Sequence, residues 1–173
     1  MLKVNYILFD AARMGEDMEE AKRKNPDHLS LYSGRSAVTL APVAPYFFSF
    51  QTDTLFGQWY LEKGWGGAWG ILLKSSYDKD ELYKHFRKFL FVQIEQGEEF
   101  YFRFYDPHVL KIFFPTCDKD QILEFFGPVD YFITEGDSPE EGIKFWQQNG
   151  ILQQRKLSVS EIFGEGVSAT SEK

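Results

Sequence analysis

The stretch of 33 residues from Ser75 to Pro107 constrains the fold most, because one unbroken run there combines a capped helix, a hairpin pattern and many aromatic residues. Asp78 has the position of a helix N-cap, and Glu81 follows three residues later to complete a capping box. The pattern predicts a helix that begins at about Lys79. Its apolar residues recur at helical spacing, and they are Leu82, Tyr83, Phe86, Phe89 and Leu90.

After this helix the apolar period changes to two, which is typical of strands. Val92 and Ile94 lead into a predicted turn at Gln96-Gly97-Glu98, and the next residues read F-Y-F-R-F-Y, from Phe100 to Tyr105. This alternation predicts a β-hairpin with aromatic groups on both faces of its second strand. A strand of that kind is expected to be central in its sheet.

The rest of the chain predicts an α+β fold, a mixed and largely antiparallel sheet with helices packed on it. Strands are expected at residues 4–9, 37–40, 46–50, 71–73 and 129–134, with a hairpin about Asn149-Gly150. Helices are expected at residues 16–24, after the cap Asp106-Pro107, and after a second capping box of Asp118 and Gln121. We expect one domain over residues 1–163 and a disordered tail over 164–173.

Composition excludes several classes of function. The formal charge of -7 and the absence of a Lys/Arg cluster disfavour a nucleic-acid partner. Cys117 is the only cysteine, which excludes an internal disulfide or a cysteine-rich zinc site and favours a small buried side chain in a reducing compartment. No signal peptide and no run of about 18 apolar residues is present, so a cytoplasmic protein without a membrane partner is expected.

The glycine-rich string G-W-G-G-A-W-G, residues 64–70, predicts a mobile loop. It matches neither nucleotide-binding glycine pattern. Trp65 and Trp69 on such a loop could dock onto an apolar partner, and Trp59 nearby is a third candidate for partner binding. The alternative, that Trp65 and Trp69 fold back onto the core, stays open at this stage.

Three polar residues near the predicted hairpin suggest either catalysis or structure. His85, Arg103 and Asp106 could supply a base, a cation and a carboxylate. However, no nucleophile motif accompanies them, and Asp106 already serves as a helix cap. An Arg103 side chain flanked by tyrosines and paired with a carboxylate is the structural interpretation. The three histidines of the chain also lack metal-ligand spacing, so no metal site and no cofactor are expected.

Three strings of the chain resemble a known family. They are H-F-R-K-F-L from His85, F-R-F-Y-D-P-x-V-L from Phe102, and Q-x-x-x-F-F-G-P from Gln121. The chain is similar over residues 6–133 to the adaptor, or chaperone, proteins of type VI secretion effectors, the VasW-like family. Within these strings, His85, Arg87, Arg103, Asp106 and Pro107 are expected to be structural residues.

The resemblance implies a non-catalytic bacterial protein of the cytoplasm that binds a cognate secreted effector and helps to load it on the spike (VgrG-type) protein. This chain ends soon after the shared region, whereas the family also has longer members. A second lobe that could contact the spike is therefore expected to be missing or reduced. The alternative is a small hydrolase-like enzyme that uses His85 and Asp106.

Overall fold

An antiparallel sheet of seven strands, with helices on both faces, forms the body of the protein. The computed structural model describes residues 1–93 and 99–165. The strands are β1 Tyr6–Asp10, β2 His28–Ser30, β3 Pro45–Ser49, β4 Gly70–Ser75, β5 Phe91–Gln93, β6 Glu99–Tyr101, β7 Val129–Glu135, β8 Glu141–Gln148 and β9 Ile151–Ser158. The order in the main sheet is β2-β3-β1-β4-β7-β8-β9, and β5 and β6 pair separately.

The remaining described chain contains eight α-helices. They are α1 Ala11–Met14, α2 Asp17–Lys24, α3 Arg35–Thr39, α4 Leu55–Trp59, α5 Lys79–Arg87, α6 Pro107–Phe113, α7 Lys119–Phe126 and α8 Val159–Phe163. A π-helical turn, Tyr60–Gly64, extends α4. The predicted α+β class is confirmed, and every strand pairing in the described residues is antiparallel.

Two adjacent residues of β3 show that the sheet is covered on both faces. The ring centroid of Phe47 lies 5.8 Å from that of Phe86 on α5, whereas the centroid of Phe48 lies 5.3 Å from that of Phe56 on α4. Because successive side chains of a strand point to opposite faces, α5 and α4 must lie on opposite sides of the sheet. The aromatic residues therefore fill two core layers.

The helix caps and the tight turn that the sequence predicts from neighbouring residues are confirmed. Asp78 accepts a hydrogen bond from the backbone N–H of Glu81, and Asp118 and Gln121 form the expected capping box. Asn149 and Gly150 take positive φ values of 54° and 78°, as a tight hairpin between β8 and β9 requires.

Two predicted strands are wrong. Residues 37–40 fall mostly in the helix α3. The strand expected to run through the F-Y-F-R-F-Y string ends at Tyr101, and it pairs only with β5 and is not central in the main sheet. The strand that pairs with β4 on the side away from β1 is β7, which follows α7 in the chain. The predicted turn at residues 96–98 lies outside the described residues, and so do residues 166–173 of the tail predicted over 164–173.

Candidate functional site

Two crossed ion pairs bring together the polar residues of the F-R-F-Y-D-P string and the end of β1. Asp10 caps α1 through the N–H of Ala12, and Asp106 caps α6 through the N–H of His108. Asp10 pairs with Arg103, whereas the second carboxylate oxygen of Asp106 lies 3.0 Å from Arg13 Nη2. Arg13 of α1 thus pairs with the residue that caps α6, and Arg103, which lies just before α6, pairs with the residue that caps α1.

We call Asp10, Arg13, Arg103 and Asp106 the ion-pair clamp. Both of its carboxylates are buried, and both of its arginines are half-exposed. Burial alone would raise the pKa of Asp106, but the hydrogen bonds from Arg13 and from the His108 N–H outweigh it and hold that pKa below its usual value. The hydrogen bond to Asp10 raises the pKa of Arg103 further. The ion pairs and helix caps of these four residues hold β1, α1 and α6 together.

Tyr105 and Tyr32 lie beside this clamp, and their side chains are hydrogen-bonded to each other. Burial, followed by the proximity of Tyr32, raises the pKa of Tyr105 far above its usual value. A phenol in that state is a neutral donor and does not serve as a base. Its contribution is to packing around the two aspartates.

The structure does not bring together the two residues of the enzyme hypothesis. His85 is buried, and its Nε2 atom lies 2.8 Å from the carbonyl oxygen of Phe125 on α7. A carbonyl oxygen can only accept, so Nε2 carries the proton in this contact. Asp106 pairs instead with Arg13 and with the exposed His108, whose Nδ1 atom lies 3.2 Å from Asp106 Oδ1.

The remaining residues of the expected structural set also make structural contacts. Arg87 donates to the hydroxyl of Tyr83 at 2.8 Å and to that of Ser33 at 2.7 Å, which ties α5 to the loop before α3. Pro107 is buried at the first position of α6. Arg103 pairs with a carboxylate as expected, but the sequence did not identify Asp10 as that carboxylate.

Of the two alternatives for Trp65 and Trp69, the structure shows the one in which both rings pack into the core, and Trp59 is buried as well. Trp59, Trp65 and Trp69 expose only 8%, 6% and 4% of their surface. The Trp65 indole N–H donates to the carbonyl oxygen of Pro139 at 2.7 Å, and the Trp59 and Trp69 rings lie 5.5 Å apart. A role of these residues in partner binding stays a prediction, and their burial gives it no support.

The glycines of this segment provide space for packing, which the prediction of a mobile loop did not consider. A Cβ atom on Gly64 would lie 2.5 Å from Tyr60 Cδ2 and 2.7 Å from Trp69 Cε3, so a larger residue would displace both rings. The N–H of Ala68 also donates to the Glu135 carboxylate at 2.8 Å. The glycine-rich string is therefore tied to the sheet by hydrogen bonds and by close packing.

The hairpin of β5 and β6 carries three exposed aromatic residues. Phe91, Phe100 and Tyr101 are between 44% and 52% exposed. Phe91 lies opposite Tyr101 in the register, and their ring centroids are 4.9 Å apart. We call this element the aromatic hairpin. Sequence reasoning placed it in the sheet and so missed its exposure, although its alternation of large apolar residues was visible.

The described residues contain no group of three or more side chains that could hold a metal ion. Burial raises the pKa of the Cys117 thiol to about 11, which leaves it protonated at neutral pH. Among the helices of residues 1–93 and 99–165, none has the length and apolar character that crossing a membrane requires.

The fold and the site define an α+β protein in which four polar residues form ion pairs and helix caps. The aromatic hairpin is not part of its main sheet. The chain belongs to the family described as Domain of unknown function (DUF4123), whose model matches residues 5–124. The matched segment contains the ion-pair clamp and the aromatic hairpin and ends within α7. No curated protein and no solved structure matches the chain.

Proposed function

We propose that this protein is a non-catalytic adaptor of the bacterial cytoplasm, which binds a cognate type VI secretion effector and helps to load it on the spike protein. Membership of the DUF4123 family over residues 5–124 carries this proposal, together with the resemblance of the motif strings to the VasW-like adaptors. The matched segment includes both the clamp and a surface suited to a protein partner.

The chemistry of the clamp supports a role without catalysis. Asp10 and Asp106 already accept hydrogen bonds from two helix N-termini and from two guanidinium groups. These contacts lower the pKa of Asp106 and leave both carboxylates little freedom to act as a general base. The clamp instead fixes the chain between the aromatic hairpin and α6.

The aromatic hairpin is the surface we assign to the effector polypeptide. A hairpin of two strands has little stability of its own, and exposed aromatic side chains release free energy when a partner covers them. Aromatic residues are enriched at the centres of protein interfaces because they bury a large area with few rotatable bonds. An apolar segment of the effector is therefore the expected occupant.

Co-expression with the products of adjacent genes tests this proposal. The wild-type protein is expected to co-purify with one neighbouring product, and the Phe100→Ser, Tyr101→Ser variant to lose most of it. Ile112→Ser is the matched control, because Ile112 is an exposed apolar residue of α6 outside the aromatic hairpin. Retention of the partner by this control would assign the loss to the hairpin surface.

Two results would contradict parts of the proposal. If no neighbouring product co-purifies with the wild-type protein, the adaptor function is wrong. If the partner binds the hairpin variant as well as it binds the wild-type protein, the effector occupies another surface and the adaptor function stands.

A further inference from the structure

One face of the sheet between β4 and β9 collects cations and aromatic rings on an otherwise acidic protein. On the opposite face of the same strands, Phe132 and Phe145 pack against Phe114, which directly follows α6, and Phe132 also packs against Phe125 of α7. The residues between them in the strand alternation must therefore point away from these helices. We call this surface the basic face, and its residues are Lys74, Tyr131, Lys144, Trp146 and Arg155.

The strand register arranges these residues in two neighbouring rows. Lys74 lies opposite Tyr131, and Lys144 lies opposite Arg155. The Lys144 ammonium group connects the rows, because it lies 4.2 Å from the ring centroid of Tyr131 and 5.3 Å from that of Trp146. Both rings attract the ammonium group through cation–π contacts.

The cations of the basic face lack strong carboxylate partners within the described part of the chain. Lys74 donates to the carbonyl oxygen of Ser75, and Lys144 contacts only the two rings. Arg155 approaches Glu161 at 3.5 Å, with both side chains more than half exposed, which makes this a weak and exchangeable pair. By contrast, ion pairs with carboxylates engage many cations elsewhere, among them Lys22, Lys63, Lys79 and Lys111.

The electrostatics of Lys144 favour the arrival of an anion. Burial lowers the pKa of Lys144, and the neighbouring charge of Arg155 lowers it further. A carboxylate placed between the two cations would offset both effects at once, because it is attracted to each of them. It would also accept charge-assisted hydrogen bonds from both side chains.

The extent of the cations indicates what kind of anion fits. Lys74 on β4 and Arg155 on β9 are three strand positions apart, which corresponds to about 14 Å across the sheet. A single small anion cannot span this distance. A polypeptide segment of about five extended residues can, and its alternate side chains would lie on the basic face. A nucleic acid is disfavoured, because three cations on a chain of formal charge -7 neutralise few phosphates.

We propose that the basic face binds an acidic, extended segment of a protein partner, with carboxylates at Lys144 and Arg155 and an apolar residue on Trp146. This surface lies on β7, β8 and β9 as well as β4, so most of it follows the segment that the family model matches. The inference goes beyond the proposed function, and its test needs no effector.

The test measures, by fluorescence anisotropy at low salt, the binding of a fluorescein-labelled peptide of about eight residues. Glutamate and leucine share its alternate positions, with threonine between them, so that both kinds of side chain lie on one face of the extended peptide. The wild-type protein is expected to bind this peptide in preference to the same peptide with glutamine in place of glutamate. Added salt should weaken the interaction. The Lys144→Gln, Arg155→Gln variant should bind at least about tenfold more weakly, because two charge-assisted contacts are lost.

Lys84→Gln is the matched control, because Lys84 is an exposed lysine of α5 far from this face in the fold. It should change the affinity by less than about twofold. Equal weakening by the control, unchanged binding by the double variant, or no binding by the wild-type protein would each overturn the proposal. Tighter binding of a thymidine oligonucleotide than of the acidic peptide would overturn it as well.

Discussion

Arg103 forms an ion pair with Asp10, 93 positions earlier in the chain, and so joins the family motif string to the first strand. The Asp10 side chain is fully buried and also caps α1, whereas Arg103 keeps part of its guanidinium in solvent. The contact therefore compensates a carboxylate that the core cannot leave without a partner.

Arg103→Ala is expected to lower the free energy of unfolding by about 2 kcal/mol. The partial exposure of Arg103 reduces this figure below that of a fully buried pair. Chemical denaturation checks the prediction, with Arg155→Ala as the control, because both partners of the Arg155 pair are exposed. An Arg103→Ala variant as stable as the control would show that Asp10 needs no cation.

The second arginine of the clamp should be coupled to the first. Arg103 Nη2 lies 3.8 Å from Asp106, the residue that Arg13 pairs with at 3.0 Å. When Arg13 is replaced, Arg103 still offers a charge to Asp106, and this support disappears in the double variant. The Arg13→Ala, Arg103→Ala variant should lose about 0.5 to 1 kcal/mol more than the sum of the single variants. Additive losses in a double-mutant cycle would contradict this coupling.

Protonation of His85 should destabilise the fold in mildly acid solution. Burial lowers the pKa of His85 below its ordinary value of 6.5, so the unfolded chain binds the proton more readily than the folded one. The free energy of unfolding should therefore fall as the pH is lowered through that value, from about pH 7.5 to about pH 5.5. This window lies above the range in which the carboxylates titrate.

The His85→Gln variant isolates this effect. It should show a smaller fall in stability over the same pH interval, because glutamine does not titrate. Denaturation curves recorded at several pH values provide the measurement. Parallel pH profiles for the two proteins would mean that His85 does not control the acid response.

The tryptophan segment should behave as part of the core. Trp65→Ala is expected to lower the free energy of unfolding by about 3 kcal/mol, because it removes a ring that lies 4.9 Å from that of Phe163. Trp65→Phe keeps most of the volume and loses the hydrogen bond to Pro139, so a loss nearer 1 kcal/mol, that is about one hydrogen bond, is expected.

Acrylamide quenching gives an independent check on the same segment. In a Trp146→Phe background, the remaining three tryptophans are the buried ones, so their fluorescence should resist quenching. Efficient quenching would contradict this burial and favour the alternative in which exposed tryptophans dock onto a partner.

The sequence by itself determined the elements whose causes lie within a few residues. The caps at Asp78, Asp106 and Asp118 and the Asn149-Gly150 hairpin follow from hydrogen bonds and backbone angles that neighbouring residues supply. The class of fold follows from the succession of these elements. A signal of the same kind, the capping box of Ser158 and Glu161, precedes the short helix α8 that the prediction omitted.

Only the tertiary structure decided the partner of Arg103, the burial of Trp65 and Trp69, and the exclusion of the aromatic hairpin from the main sheet. Each depends on contacts between residues distant in sequence, and local patterns do not specify them. In a local pattern, a glycine indicates a flexible backbone. In the structure, Gly64 is needed because Tyr60 and Trp69 occupy the space beside it. Close packing thus gives a permissive local sequence a single conformation.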